Sequence, residues 1–570
     1  MKKVIVIGGG VAGMSAAQEL AERGMQVEVY ERNPWYAGGK ARSVNVPDTN
    51  LLHPDKYLPG EHGFRFFPGF YKHITDSMKR IPFTNENGEK NANGVYDNLM
   101  QLDRVMIAEY GKLPIISIVN FPHTISDFKV LFHSAFGSNT GLTKADIEFF
   151  AERVWQLMTS CSERRMNEYE RLGWWEYMDA DGHSEIYQHL LVEGLTRTLV
   201  AAKAKLASTK TGGDIFIQLL FNITNPHIKA DRVLNGPTNE KFIYPWMAYL
   251  KSMQVDYQLG WECIDLKIEK DVITGVVLKH RQSHEEKTVT GDYYLLATPV
   301  EVASKLFQRN PAIINADSTL ADIDKLAPDV SWMNGIQFYL SEDVKVNHGH
   351  VIYSDSQWAL TSISQMQFWG KYDLNQRGNG KVKGVLSVDI SDWTTKGFNG
   401  MTANECTQEQ VKDEVWKQLK ESLNVEGKEI LKDDMLLFWY LDKDIHKVGY
   451  EKDVNFEPLL VNLVNTWSLR PQAYTQISNL FLAADYVKTY TDLATMEGAN
   501  EAARRAVNSI MDATGEKYKI AEVWNLHEPI LLSYYKWLDR RRYKKGMPWK
   551  IHVPWFARVL NFIFKFIYKH

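Results

Sequence analysis

Lys2 to Ile7 is a short apolar run rich in β-branched residues, and Gly8-Gly9-Gly10-Val11-Ala12-Gly13 follows it directly. Met14 to Arg23 is alanine-rich with helical spacing, and Gly24 ends it. Gln26 to Tyr30 returns to a strand pattern that finishes at Glu31. Strand, glycine turn, helix, strand and terminal acid predict a dinucleotide-binding βαβ unit over residues 1 to about 45. Gly8 permits the tight turn, Gly10 lets backbone N–H groups approach a pyrophosphate, and Gly13 lets helix and strand pack closely. The helix N-terminus carries partial positive charge toward the phosphates, and Glu31 offers a carboxylate to a ribose diol.

The pattern then changes several times. Residues 60 to 71, Gly-Glu-His-Gly-Phe-Arg-Phe-Phe-Pro-Gly-Phe-Tyr, mix glycines for close backbone approach with rings that can line a flat or apolar ligand. From about 76 to 230 the pattern is mainly helical. Thr143 and Asp146 form a capping pattern ahead of an apolar run to Met158. Cys161 to Tyr177 alternates charges with aromatics at spacings that predict a solvated helix face, and His189 to Ala207 predicts a further helix. Strand signals return at Val255 to Leu259, Cys263 to Lys270 and Val272 to His280, with a turn at Thr274-Gly275. Another strand, Tyr293 to Leu296, runs into Ala297-Thr298-Pro299. Strands at Gly335 to Leu340, Leu386 to Ile390 and Leu436 to Leu441 predict a sheet roofing a substrate cavity. Gly378 to Gly384 imitates a phosphate loop, but no apolar strand precedes it and no helix follows, so it reads as a hairpin tip. Leu480 to Asp485 is a buried-type strand ending in an acid, and Met496-Glu497-Gly498-Ala499 opens a helix that continues through Ala502, Ala503, Ala506 and Ile510.

The 570 residues allow two or three domains with a large core. A net charge of −4 gives no sign of a nucleic-acid partner. Three scattered cysteines, Cys161, Cys263 and Cys406, suggest neither a disulfide framework nor a metal site, and a reducing cytosolic setting is the default. No stretch is long and apolar enough for a transmembrane span. The C-terminus departs from the balanced charge. Lys536, Arg540, Arg541, Arg542, Lys544, Lys545 and Lys550 are opposed by Asp539 alone. From Trp555 the pattern is apolar except for Arg558, Asn561, Lys565 and Lys569, one narrow stripe of a helix. Such a helix is roughly 20 Å long, too short to span but suited to lie in an anionic headgroup region.

Gly38-Gly39-Lys40-Ala41-Arg42 resembles the Gly-Gly-x-x-Arg signature of the FAD-dependent amine oxidase and phytoene desaturase superfamily. The segment around Gly60 and His62, the Leu234 to Glu240 block, the Ala-Thr-Pro strand end and the Met-Glu-Gly-Ala helix are similar to the same family, closest to its carotenoid desaturase branch. Ala484 stands where the family has Gly, and Asn500-Glu501 departs from its small residues. The resemblance implies an α/β fold: a discontinuous Rossmann-like FAD domain (1–75, 230–305, 475–512), an α+β substrate domain (76–229, 306–474) and an amphipathic helical tail (513–570). It implies FAD contacts at Gly8, Gly10, Val11, Ala12, Gly13, Glu31, Arg32, Gly38, Gly39, Lys40, Ala41, Arg42, Gly60, His62, Ile264, Ala297, Asp485, Met496, Gly498 and Ala499. No cysteine sits at the last motif, so the expected FAD is non-covalent, and no metal is expected.

The implied function is hydride removal from an apolar lipid or isoprenoid, forming C=C, with a quinone or O₂ as final acceptor. The expected location is cytoplasmic, peripheral on the inner face of a membrane. A flavin amine oxidase, a flavin-dependent polyene isomerase and a non-catalytic FAD-stabilised scaffold are the alternatives. No catalytic base is identified; His62, Arg65 and Tyr71 are candidates by position.

Overall fold

Five parallel strands from three separated stretches of chain form the nucleotide sheet of a computed structural model that describes residues 2–118, 141–193, 205–224, 231–370, 372–442, 445–446 and 454–550. Its order is Asp256–Leu259, β2 (Gln26–Glu31), β1 (Lys3–Ile7), Tyr293–Leu296 and Leu480–Leu482. All four pairings are parallel. Parallel strands bury both faces, which explains why β1, Tyr293–Leu296 and Leu480–Leu482 are nearly continuous apolar runs. Helix α1 (Val11–Ala21) starts three residues before the sequence pattern suggests, directly after Gly10. It packs against the helix Met496–Thr514. Both present small buried residues, Ala16 and Ala17 against Ala502, Ala503 and Ala506, so the two axes approach closely.

The second sheet has seven strands, in the order Leu436–Leu441, Gly335–Leu340, Gly384–Ile390, Leu360–Ser364, Gly349–Tyr353, Arg104–Ala108 and Ile115–Ile118. Alternation divides its side chains. Ile336, Phe338, Val351, Tyr353, Leu360, Leu386 and Val388 face the helix Gln408–Leu423 and form one apolar core with it. The opposite face carries Gln337, Thr361, Ser387 and Asp389 and turns toward the nucleotide domain. This is the roof that the three strand patterns predict, but its last two strands come from 104–118, within a region whose pattern reads as helical. Val105, Ile107, Ile115 and Ile116 are β-branched at alternating and adjacent positions and favour the pleated surface.

Other expectations change for identifiable reasons. The capping pattern at Thr143 is a full capping box on Lys144–Thr159. The charges that follow are a solvated face only in part: Glu168 and Arg171 are exposed, but Arg164 and Arg165 are buried. Arg164 pairs with Asp539 and Glu168, and Arg165 with Asp214 and Glu528. Thr274-Gly275 is not a turn; Gly275 lies opposite Lys267 within a strand pair, and Lys270 and Asp271 turn the chain with φ of 50° and 61°. Gly378-Asn379-Gly380 is a turn in the excursion between two antiparallel roof strands. Of the helix expected at His189 to Ala207, residues 194–204 lie outside the described residues, and Gln188–Glu193 is a π-helical turn. The described part of the tail is docked: Ser533–Tyr543 is a helix that packs against Ser162–Asn167 and Lys144–Thr159. The amphipathic stretch from Trp555 lies outside the described residues. No described helix is long and apolar enough to cross a membrane.

Candidate functional site

A cavity of about 430 Å³ runs along the carboxyl ends of the nucleotide strands and continues beneath the roof sheet. This is where open parallel sheets bind ligands. Ile7 and Gly8 end β1, Glu31 and Arg32 end β2, Ala297 and Thr298 follow Leu296, and Ala484 and Asp485 follow Leu482; all line the cavity. Helix α1 enters with Gly10 as its N-cap and no side-chain cap, leaving the first-turn N–H groups free for an anion. Gly8 has φ of +101°, and Gly39 approaches Gly10 so closely that a Cβ on Gly39 would stand 2.9 Å from the Gly10 Cα. The backbone here forms a cradle that side chains would fill.

Glu31 is buried and accepts hydrogen bonds from Gly9 N and Asn33 N, both 2.7 Å. Burial raises its pKa, with those two N–H groups opposing the rise. Arg32, Lys40 and Arg42 bring three cations to this end against the carboxylate of Glu457. Burial works against ionisation of Glu457, but Arg42, His62, Arg32 and Lys40 outweigh it and hold the carboxyl far below its usual range. The three cations, the open helix N-terminus and the acid at the end of β2 fit a dinucleotide diphosphate and its ribose.

Beyond the cradle the walls change character. Phe64, Phe66, Met333, Ile215, Leu459 and Val461 are apolar lining residues. Asp389 and Thr361, direct partners on adjacent roof strands, and His350, one strand further, supply polar groups. Burial pushes the Asp389 carboxyl up to about 7, although Arg65 and the Phe64 N–H both favour its ionised form. Gly63, with φ of +85°, makes this approach possible: a Cβ there would stand 2.1 Å from Asp389 Oδ1.

Gly8, Gly10, Val11, Ala12, Glu31, Arg32, Gly38, Gly39, Lys40, Ala41, His62, Ala297, Asp485, Met496 and Ala499 are brought together around the cavity. Five expected residues are not among its lining. Gly13 packs, since a Cβ would meet the Gly8 carbonyl oxygen at 1.9 Å. Arg42 closes the loop by donating to Glu457 at 2.9 Å and to the Gly39 carbonyl at 2.8 Å. Gly60 makes room for the Tyr440 ring. Ile264 sits at a register shift between Cys263 and Asp265, so Trp261, Glu262 and Cys263 face the cavity instead. Gly498 N donates to Thr495 Oγ1 inside the helix cap.

His62, Arg65 and Tyr71 all line the cavity, and the fold engages or shifts each of them. His62 faces Asp442, and burial is the largest influence holding its pKa down, with Glu457 opposing. Arg65 donates to the carbonyls of Ala41 and Lys40. Burial raises the Tyr71 phenol further from neutrality. Asp389, which sequence reasoning missed, lies on the chamber wall with its carboxyl pushed up to about 7 by burial. Its signal was a lone acid on the polar side of the alternating Leu386-Ser387-Val388-Asp389 strand.

The model of the flavin containing amine oxidoreductases matches residues 247–511, and that of the NAD(P)-binding Rossmann-like domain matches residues 6–81. The chain belongs to the FAD amine oxidase and carotenoid desaturase-like superfamily of flavin oxidoreductases. Over 46 residues it is 50% identical to a 1-hydroxycarotenoid 3,4-desaturase of Flavobacterium sp. (strain P99-3), covering 8% of this chain and 9% of that protein. Over 79 residues it is 37% identical to the zeta-carotene desaturase of Zea mays, covering 14% and 12%. The match therefore spans about a tenth of the length of these curated relatives. The fold is similar to that of cyclohexylamine oxidase from Brevibacterium oxydans IH-35A, with a TM-score of 0.59 at 11% identity over 90% of this chain and 100% of that one. An oxidoreductase from Methanosarcina mazei gives a TM-score of 0.56 at 14% identity, with the same coverage.

Proposed function

We propose that this protein holds FAD non-covalently and removes hydride from an apolar lipid or isoprenoid, forming a C=C bond at a membrane surface. The observation that carries the reading is one continuous cavity. A cationic, glycine-lined cradle at one end opens into an apolar chamber with a single near-neutral acid, Asp389. A bound flavin would supply the hydride acceptor and pass the electron pair on to a quinone or O₂. The Gly8 to Ala12 backbone would hold the diphosphate, Glu31 the ribose diol, and the N-terminus of the Met496–Thr514 helix would present its partial positive charge. Cys263 is a poor candidate for covalent attachment, because burial pushes its thiol up to about 12.

Phe64, Phe66, Met333 and Leu459 give the chamber apolar walls that an apolar substrate would cover. Asp389 is the group that takes the proton from the carbon next to the one that loses hydride. A pKa near 7 suits a base working near neutral pH. The curated relatives named for carotenoid substrates support a polyene or isoprenoid. Anaerobic addition of isoprenoids and of amines to the purified protein tests this. Bleaching of the flavin absorbance by isoprenoids alone is expected; bleaching by amines alone makes it an amine oxidase.

Membrane association is supported by one exposed face of the tail. Ile530, Tyr534, Trp537 and Met547 are exposed, beside exposed Arg541, Lys544 and Lys545. Tyr534 stacks on Trp537, and Arg541 lies over the Trp537 ring at 4.9 Å. Aromatic and basic groups on one face suit a headgroup region. The full chain should sediment with anionic vesicles, and Tyr534→Ser with Trp537→Ser should weaken that without lowering Tm.

A further inference from the structure

His350 is 5% exposed and lines the cavity from the roof strand Gly349–Tyr353. Neither of its ring nitrogens has a hydrogen-bond partner among the described residues. Its ring is flanked by Phe64 in an edge contact at 5.2 Å and by Phe66 at 5.4 Å, so the imidazole is set in an apolar wall. Burial pushes its pKa down to about 4, so at neutral pH it carries one donor and one acceptor. A buried polar group left without partners costs roughly 1–3 kcal/mol. Asp389 cannot provide the missing contact. Asp389 pairs in register with Thr361, Thr361 with Ile352, and His350 lies two residues beyond Ile352 on the same face. Strand spacing and rise put the Asp389 and His350 backbones roughly 12 Å apart.

We infer that the His350 end of the cavity receives a hydroxyl group carried by an otherwise apolar isoprenoid substrate, at a point remote from the carbons beside Asp389. This rests on the reading of the cavity as the site of an apolar-substrate oxidoreductase. A hydroxyl both donates and accepts, so it can satisfy either ring nitrogen, whereas a carbonyl can only accept. An ammonium group can donate to the unprotonated nitrogen and lie against the Phe64 and Phe66 rings, but it cannot accept from the ring N–H, and a carbonate or phosphate anion finds no cation beside the ring among the described residues. A pure hydrocarbon leaves both nitrogens unpaired and forfeits the contact.

The test compares binding of geranylgeraniol and its deoxy hydrocarbon to the full chain, by quenching of tryptophan fluorescence and by ligand-induced shift in Tm. The wild type should bind the alcohol about tenfold tighter or more. His350→Phe should erase the preference while its ligand-free Tm stays level or rises, because replacing an unsatisfied polar group by an apolar ring relieves a penalty. His350→Gln should keep part of the preference. Equal binding of the two probes by the wild type, or binding of neither, overturns the inference, as does a preference that survives His350→Phe. The flavin spectrum of the same preparation separates the two readings. A yellow protein that does not discriminate loses only the hydroxyl site. A colourless protein that does discriminate keeps that site and loses the redox reading.

Discussion

Asp389→Asn is expected to stabilise the protein at alkaline pH while abolishing turnover. In the unfolded chain this carboxyl ionises near 3.8; in the fold burial moves it to about 7. Between those values the folded state holds a proton that the unfolded state has lost. Stability therefore falls as pH rises, by about 1.4 kcal/mol per pH unit from this group. Below about pH 4 both states are protonated and there is no penalty. Above about pH 7 the penalty is complete, about 4 kcal/mol for a displacement of about three units. The attraction of Arg65 is already contained in the shifted value, so it is not subtracted again. Asn imitates the neutral acid and removes the pH-dependent part. Urea denaturation of both proteins at pH 4.5, 6, 7 and 8, followed by tryptophan fluorescence, should show curves that meet at the acid end and separate toward pH 8. Glu61, also raised by burial, to about 7, is present in both proteins and drops out of the difference. An Asp389→Asn protein no more stable than wild type at pH 8 would refute the assignment of Asp389 as an under-compensated buried acid. Activity in the wild type should rise with pH through about 7, as the carboxylate forms.

Gly13→Ala drives a methyl into the Gly8 carbonyl and should yield protein without flavin absorbance near 450 nm (roughly where oxidised flavins absorb). Glu497→Ala strips the acceptor from Lys72 N, His73 N, Ile74 N and His73 Nδ1, and should cost about 3–5 kcal/mol in chemical denaturation. Burial opposes ionisation of Glu497, but His73 and the backbone N–H groups win and hold it below the usual 4.5. Its contribution is therefore present above about pH 4.5 and lost as pH falls further, which Tm against pH in wild type and Glu497→Gln should show. Asp539→Ala leaves Arg164 buried with Glu168 as its one remaining ion-pair partner among the described residues, beside the Met547 carbonyl. It should release the Ser533–Tyr543 helix to limited proteolysis before global unfolding.

The nucleotide half was legible because its chemistry is local. Gly8, Gly10 and Gly13 are fixed by one turn and one helix, and Glu31 by the end of the next strand, so spacing alone places them. The chamber was not legible in the same way. Asp389, Thr361 and His350 come to one face of the roof through the register of three strands, and a strand pattern does not state its neighbours. The polar side of Leu386 to Ile390 was visible; that it faces the nucleotide domain rather than solvent depends on Gly63 admitting Asp389. Arg164 and Arg165 show the same limit. Their helical spacing suits a solvated face, and only the arrival of Asp539, 375 positions later, buries Arg164. Ile264 failed by one residue, because the register shift after Cys263 turns the strand over.

Two buried histidines separate a structural role from a ligand-facing one. His73 Nδ1 contacts Glu497 at 2.7 Å, and Nε2 accepts from Trp524 N at 2.9 Å. With Nε2 accepting, its proton sits on Nδ1, and both valences are satisfied. The ring ties the chain after the last helix to the acid of the Met-Glu-Gly-Ala motif. Arg504 reinforces the tie, reaching the Glu522 and His73 carbonyls, each at 3.1 Å, and lying under Trp524. The segment leading to the tail is therefore part of the nucleotide domain's packing, and the exposed patch at 530 to 547 is held in a fixed relation to the cavity. His350 is also buried and is flanked by two rings, yet neither nitrogen is met among the described residues. Burial alone does not distinguish the two; hydrogen-bond accounting does, and it directs the search for substrate to the roof end of the chamber.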